Sequence, residues 1–385
     1  MLKFIIRRLA RGFVALLIFQ SLLFALIHSL PYDFTAFLLL SPSVRGIVQR
    51  QFGMHLPVWE QYLHWLGRFL RFDMGVSYQY WPHSVASILA ARLSRTLILF
   101  LSAAILSYLL GIWLGKIVAW RRGSLLEAGV TLGGIASYTS FAPWLGFVMI
   151  SIFAWSLGWF PYQRLVDHNI WFGAPVSVES VLSRLSLTAI ILTITFWIAG
   201  LLTKKIWRRS IRLSVQGSVI TLACAVTVVF WMRSGIVHLA LDLLNHLVLP
   251  LGTVVLLSFG ETMMTMRASM LETQKADFVL LARAKGLPDK EIRDRHVARN
   301  AILPVITRLL LNLPFVLVGS LVIERVFQWQ AMGQIIFGAI EFQDIPIIMG
   351  ILSIVGMIAL SLHILLDILY VLLDPRARYE TGGNL

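Results

Sequence analysis

The chain has 385 residues, 58% of them hydrophobic and 14% charged, and its mean hydropathy is +0.80. These values lie far from those of a water-soluble globular domain and point to an integral membrane protein in contact with a lipid bilayer. The formal net charge of +14 does not indicate nucleic acid as a partner, because the basic residues fall in short clusters between apolar runs. The single cysteine, Cys224, lies within an apolar run, which excludes an intrachain disulfide and a thiolate metal cluster.

A spanning helix needs about 20 largely apolar residues. The sequence offers eight such stretches, at roughly 9–30, 97–119, 135–157, 186–203, 213–232, 247–266, 302–323 and 346–372. They predict an all-α polytopic membrane protein. The basic start at Lys3, Arg7, Arg8 and Arg11 precedes an apolar run too long for a signal-peptide core. That run ends in HSLPYDF without a small-residue cleavage pattern, so residues 1–30 read as a permanent first span. The segment 31–96 is expected outside. Within it Trp59, Tyr62, Trp65, Leu66 and Phe69 share one face of an amphipathic helix, whose interfacial packing is the preferred reading over substrate contact. Gly75 and Pro82 punctuate the segment.

Residues 97–164 hold the next two spans, 165–243 a further pair around KKIWRRSIR, and 244–380 the last three together with a polar loop at 267–301. With the N-terminus inside, the cytoplasmic ends receive Arg121 and Arg122, then Lys204, Lys205, Arg208, Arg209 and Arg212, then the polar loop, and finally Arg376 and Arg378. Each is basic, as the positive-inside rule asks. The opposite loops are mixed, with Arg164, Asp167 and Glu179 after the third span and Glu324, Arg325, Glu341 and Asp344 after the seventh. An even number of spans places both termini in the cytoplasm. Neither span of the 165–243 pair carries a charge near its centre, so the pair is expected to lie against lipid.

The most informative stretch is Asp277 to Pro304, DFVLLARAKGLPDKEIRDRHVARNAILP, a basic helix-forming island between apolar segments. A helix from Arg267 to Lys285 is expected to continue out of the sixth span and to break at Gly286, whose backbone permits a sharp turn. Pro288 suits the first position of a second helix, where Asp289 with Arg293 and Glu291 with Arg295 are i,i+4 pairs.

These residues carry a resemblance. ARAKGL at Ala282–Leu287, followed by RHVARNAILPV from Arg295, resembles the coupling loop of ABC importer permeases of the dipeptide, oligopeptide and nickel subfamily. RLSRTL at Arg92–Leu97, LGWFPY at Leu157–Tyr162, HLVLP at His246–Pro250, RASMLE at Arg267–Glu272, GSLVIERVFQWQAMGQIIFGAI from Gly319 and DILYVLLDPRARY from Asp367 resemble it in the same order. The similarity runs end to end apart from about 165–243, which adds two helices to a six-helix core. Where the subfamily has LPGDP after the first span, this chain has Leu30, Pro31, Tyr32, Asp33 and Phe34. Where it has Ser-x-Pro-x-Phe in the third, this chain reads SFAPWLG from Ser140. These departures bear on substrate more than on fold.

The resemblance implies a bacterial inner-membrane permease with no cofactor of its own. ATP and Mg would be bound by two cytoplasmic ATPase subunits, beside a second homologous permease and a periplasmic or extracellular solute-binding protein. It implies that Asp277, Ala282, Arg283, Ala284, Lys285, Gly286, Leu287, Pro288 and Asp289 dock in a groove on the ATPases. The translocation path is expected to use small polar residues, for which Ser137, Thr139, Ser140, Thr262, Asn312 and Ser353 are the candidates.

Two other classes would need different residues. An ion-gradient-driven secondary transporter wants an embedded carboxylate, for which Glu261 and Asp367 are the candidates, but each stands near a span end and no inverted repeat is visible. A membrane enzyme wants convergent catalytic or metal-binding groups. His246 and His363 are far apart in sequence and no HExxH or GxSxG occurs. GIWLGKI at Gly111 lacks the spacing of a phosphate loop, so the chain carries no nucleotide-hydrolysis motif.

Overall fold

The computed structural model describes residues 2–29, 53, 55–203 and 209–373. The departures at Leu30–Phe34, the basic residues Lys204, Lys205 and Arg208, and Arg376 and Arg378 lie outside these. Among the described residues there is no strand, only an isolated bridge between Val76 and Ser84.

Helix α1 (Leu2–Ser29) buries Leu23, Phe24 and Ile27 against Ile345 and Met349 of the final helix. Helix α2 (Val58–Phe69) lays Tyr62 and Trp65 over that seam, with Tyr62 5.3 Å from Phe24 between ring centroids. Of the aromatic face expected at the lipid interface, Tyr62 and Trp65 thus pack on α1, while Trp59 remains exposed.

A long helix, α3 (Val85–Trp120), begins at the side-chain cap Ser84, which accepts from Ser87 N–H. Its 36 residues rise about 54 Å, well beyond a hydrocarbon core of about 30 Å. It packs along α8 (Val237–Thr273) with no room for side chains at two positions. A Cβ on Gly111 would stand 2.7 Å from Thr262 Cβ, and one on Gly115 2.7 Å from Met266 Cβ. Small residues at such crossings let backbones approach and gain dispersion where lipid gives no hydrophobic drive.

The span predicted at 135–157 is instead a bent pair, α4 (Leu125–Thr139) and α5 (Ala142–Ser156), which meet at 109°. Pro143 has no N–H to bond the Thr139 carbonyl in a continuous helix; the chain breaks instead at Ser140 and Phe141, which are extended, and Pro143 falls in the first turn of α5, where no N–H is needed. The helix starts earlier than expected because Ser124 and Glu127 form a capping box. Ser124 Oγ accepts from Glu127 N–H at 3.2 Å, and Glu127 accepts from Gly123 N–H.

The pair α6 (Val178–Leu202) and α7 (Arg209–Arg233) buries only 6% of the apolar stretch in each helix. Its outer end is anchored, with Val181 and Leu182 fully buried beside Leu239, Leu243 and Trp329. Arg95 pairs with Glu179. The buried Asp242 carboxylate accepts from Trp171 Nε1–H at 2.9 Å and Asp167 N–H at 3.1 Å.

After α8 come α9 (Asp277–Ala284), α10 (289–301) and α11 (Leu303–Val318). The seventh span ends early at Gly319, whose φ of 73° suits glycine. It is followed by a hairpin of α12 (Leu321–Val326) and α13 (Met332–Glu341), and then α14 (Ile345–Leu373). Asp344 caps α14 through Ile347 N–H and holds the segment before α3 through Ser77 Oγ–H and Gln79 N–H. Six described helices are long and apolar enough to cross a membrane, or seven if α4 and α5 count as one. The one remaining predicted span, the seventh, is α11, which Gly319 cuts short.

Candidate functional site

The polar island is a separate element, not an extension of α8. The chain turns over Gln274–Ala276, where Ala276 is extended, and α9 starts afresh with Asp277 in its first turn, where a carboxylate favours the helix dipole. Its C-terminus is a Schellman motif. Leu287 N–H donates to the Ala282 carbonyl at 3.3 Å and Gly286 N–H to that of Arg283 at 2.9 Å, with Gly286 at φ 71°. Pro288 is extended and precedes α10 rather than opening it. Of the two expected i,i+4 pairs, Glu291–Arg295 forms at 2.9 Å, while Arg293 turns to Asp294 at 2.8 Å instead of Asp289.

Helical spacing gives the island two faces. Val279, Ala282, Ile292 and Val297 are buried against Met266 and Met270 of α8 and Ala119 of α3, and Leu287 packs on the same cluster. Leu280 and Leu281 are 71% and 57% exposed, and Phe278, Arg283, Ala284, Lys285, Gly286, Pro288 and Asp289 also face outward. The candidate residues thus divide, with Ala282 and Leu287 turned inward to seat the element. The outward leucines were not singled out in the sequence, although a four-residue apolar run beside a basic stretch signals a two-faced helix.

Charge ties the island down as well. Lys116 Nζ of α3 is 3.7 Å from Asp294, whose carboxyl the Arg293 guanidinium holds below the usual carboxylate range. Arg267 of α8 pairs with Glu127 of α4. Displacing the outer face would therefore load α3 and α8 together through apolar contact and charge.

Of the polar residues proposed for a pathway, Thr262 and Asn312 both bond the Tyr108 side chain. Ser137 Oγ–H donates to the Leu256 carbonyl at 2.5 Å, Thr262 is buried against Gly111, and Ser353 Oγ–H donates to Gln20 at 3.0 Å. These three serve helix–helix contact. Thr139 and Ser140 stand at the α4–α5 corner, bonded back to the preceding turn, and Thr139 and Asn312 are exposed. Glu261 is paired with Arg308 across α8 and α11, and His246 with Asp242. Asp367 belongs to α14, with its side chain outside the described residues, and His363 Nδ1–H donates to the Ala359 carbonyl of its own helix at 2.9 Å. Among the described residues no three His, Cys, Asp or Glu side chains converge to hold a metal.

Residues 107–379 match the family described as the binding-protein-dependent transport system inner membrane component, and residues 1–99 match that system's N-terminal membrane component family. The chain is 26% identical to an oligopeptide transport system permease protein of Bacillus subtilis over 98% of its own length and 100% of the relative's. It is 29% identical to a di/tripeptide transport system permease protein of Pseudomonas aeruginosa over 99% and 100%. With most of its length matched, the chain belongs to the binding-protein-dependent transport system inner membrane component family, as a multi-pass inner-membrane permease of an ABC importer and not an enzyme.

Proposed function

We propose that this chain forms half of the translocation pathway of a peptide importer and takes its driving force through the island at 267–301. The observation that carries the reading is the two-faced island: an apolar inner face seated on α3 and α8, and an outer face that leaves Leu280, Leu281 and the Gly286 turn uncovered. Exposed leucines beside basic residues fit a groove on a cytoplasmic ATPase. ATP-driven closure of two such subunits pushes the island, and the tightly crossed α3–α8 pair passes the displacement to the spans. A second homologous permease completes the pathway, and an external solute-binding protein delivers the substrate. Peptide as substrate is supported by the names of the relatives above, and a cytoplasmic island with both termini on its side by the positive-inside pattern.

In this reading 31–96 is the external segment, 97–164 and 244–380 the permease core, and 165–243 a lipid-facing insertion. The test is purification of the tagged chain from its native membrane in mild detergent, followed by identification of what accompanies it and by peptide uptake in proteoliposomes. A second permease, phosphate-loop ATPases and ATP-dependent uptake are expected. A chain recovered alone even after cross-linking at Leu280 would sink the coupling role.

A further inference from the structure

At the end of α3 opposite the island, two arginines one turn apart meet the same backbone oxygen. Arg92 Nη1 and Arg95 Nη1 each donate to the Gln330 carbonyl at 3.1 Å. Their charges are treated differently. Arg95 is neutralised by Glu179, whereas Arg92 adds only the Gln330 side-chain oxygen, at 3.1 Å, and has no carboxylate at ion-pair distance among the described residues. Its Nε and Nη2 have no hydrogen-bond partner among them, so one edge of the guanidinium fork is open.

The fork is fixed in place by its surroundings. Gln330 lies in a turn fastened to α3 on both sides, by the buried Trp329 donating Nε1–H to the Arg95 carbonyl at 3.2 Å and by Met332 N–H donating to Thr96 Oγ1 at 3.0 Å. Arg92 stands about 40 Å along the helix from Ala119, where α3 meets the island. That places it at the outer mouth if the island is cytoplasmic. A guanidinium with two parallel N–H groups free matches a carboxylate in bidentate geometry.

We infer that Arg92 is a specificity-determining residue that receives the C-terminal carboxylate of the peptide as it enters the permease. Arg92 is half-buried beneath Gln330, and such a recessed site suits a small ligand's end group better than the surface of a docked protein. This inference rests on the peptide-import reading.

The experiment uses the complete importer in proteoliposomes, with wild type, Arg92→Gln and Arg92→Lys. It compares ATP-driven uptake of a labelled peptide with a free C-terminus and its C-terminal amide, a pair that the solute-binding protein holds equally well. Affinity of the binding protein for the importer is measured in parallel, and co-purification of the other subunits verifies assembly. Loss of one charge-assisted bidentate contact predicts a roughly tenfold to hundredfold fall in uptake of the free acid by Arg92→Gln, with partial recovery in Arg92→Lys and no change for the amide. An equal fall for both peptides accompanied by weaker docking of the binding protein would overturn the inference in favour of a protein contact. Unchanged uptake of both would overturn it outright. Failure of the wild type to import any peptide would instead remove the peptide-import reading.

Discussion

Gly260 of α8 meets the backbone of α4 directly: a Cβ on Gly260 would stand 2.2 Å from the Gly134 carbonyl oxygen. Unlike a neighbouring side chain, that oxygen cannot rotate away, so even one methyl group must part the helices. Gly260→Ala should cost about 1–3 kcal/mol and lower the melting temperature of the detergent-solubilised protein. Gly133→Ala, with nothing within 4 Å of its Cβ, should leave it unchanged. Equal melting curves for the two variants would contradict the close crossing.

The Gly286 turn makes a different demand, since its Cβ would meet nothing within 4 Å and only its φ of 71° is restrictive. Gly286→Val should therefore cost about 1–2 kcal/mol of local backbone strain with little effect on the rest of the fold. Gly286→Asn should be tolerated better because Asn adopts left-handed backbone more readily. The expected signature is loss of ATPase co-purification in Gly286→Val, recovery in Gly286→Asn, and similar global melting for both. A Gly286→Val complex that assembles and couples hydrolysis to uptake normally would remove the turn from the coupling route.

The island was the most legible part of the sequence because its stop signal is local: Gly286 with Leu287 behind it specifies a Schellman motif without knowledge of any neighbour. Ser124 and Glu127 carried an equally local capping box, and Pro143 a local break, yet the hydropathy of 135–157 runs smoothly over the corner and conceals both. Gly319 cut the seventh span in the same way. What could not be read was pairing across elements. Ala282 faces inward because Met266 and Met270 of α8 lie beneath it, and Ser137, Thr262 and Ser353 are spent on other helices. Sequence spacing fixes which residues share a face but not what that face meets.

Glu261 and Arg308 pair across α8 and α11, and Arg308 Nη1–H also donates to Thr265 Oγ1 at 3.0 Å. The pair fastens α8 to α11. Glu261→Gln should therefore leave uptake dependent on ATP and insensitive to a proton ionophore. It should also be more damaging than the Glu261→Gln, Arg308→Met double variant, since the single change strands a charge. Uptake abolished by the ionophore in ATP-loaded vesicles would instead favour a gradient-driven carrier.

Glu324 is fully buried in the α12–α13 hairpin, outside the candidate spans. Its oxygens accept from Gly333 N–H at 3.0 Å and Gln334 N–H at 2.8 Å, bonds that favour the charged form, yet desolvation prevails and pushes the carboxyl up to about 7. A folded-state value raised above the ordinary 4.5 means that the native protein holds the proton more tightly than the unfolded chain. The resulting stability is fully present below about pH 4.5 and is lost as pH rises through about 7, by on the order of 3 kcal/mol in all. Glu324→Gln, a neutral isostere, should flatten that dependence. The check is the melting temperature of both proteins from pH 5 to pH 9, where wild type should fall relative to Glu324→Gln up to about pH 8 and the two should run parallel above it. Parallel curves throughout would show that the hairpin keeps Glu324 charged and that its backbone donors outweigh burial.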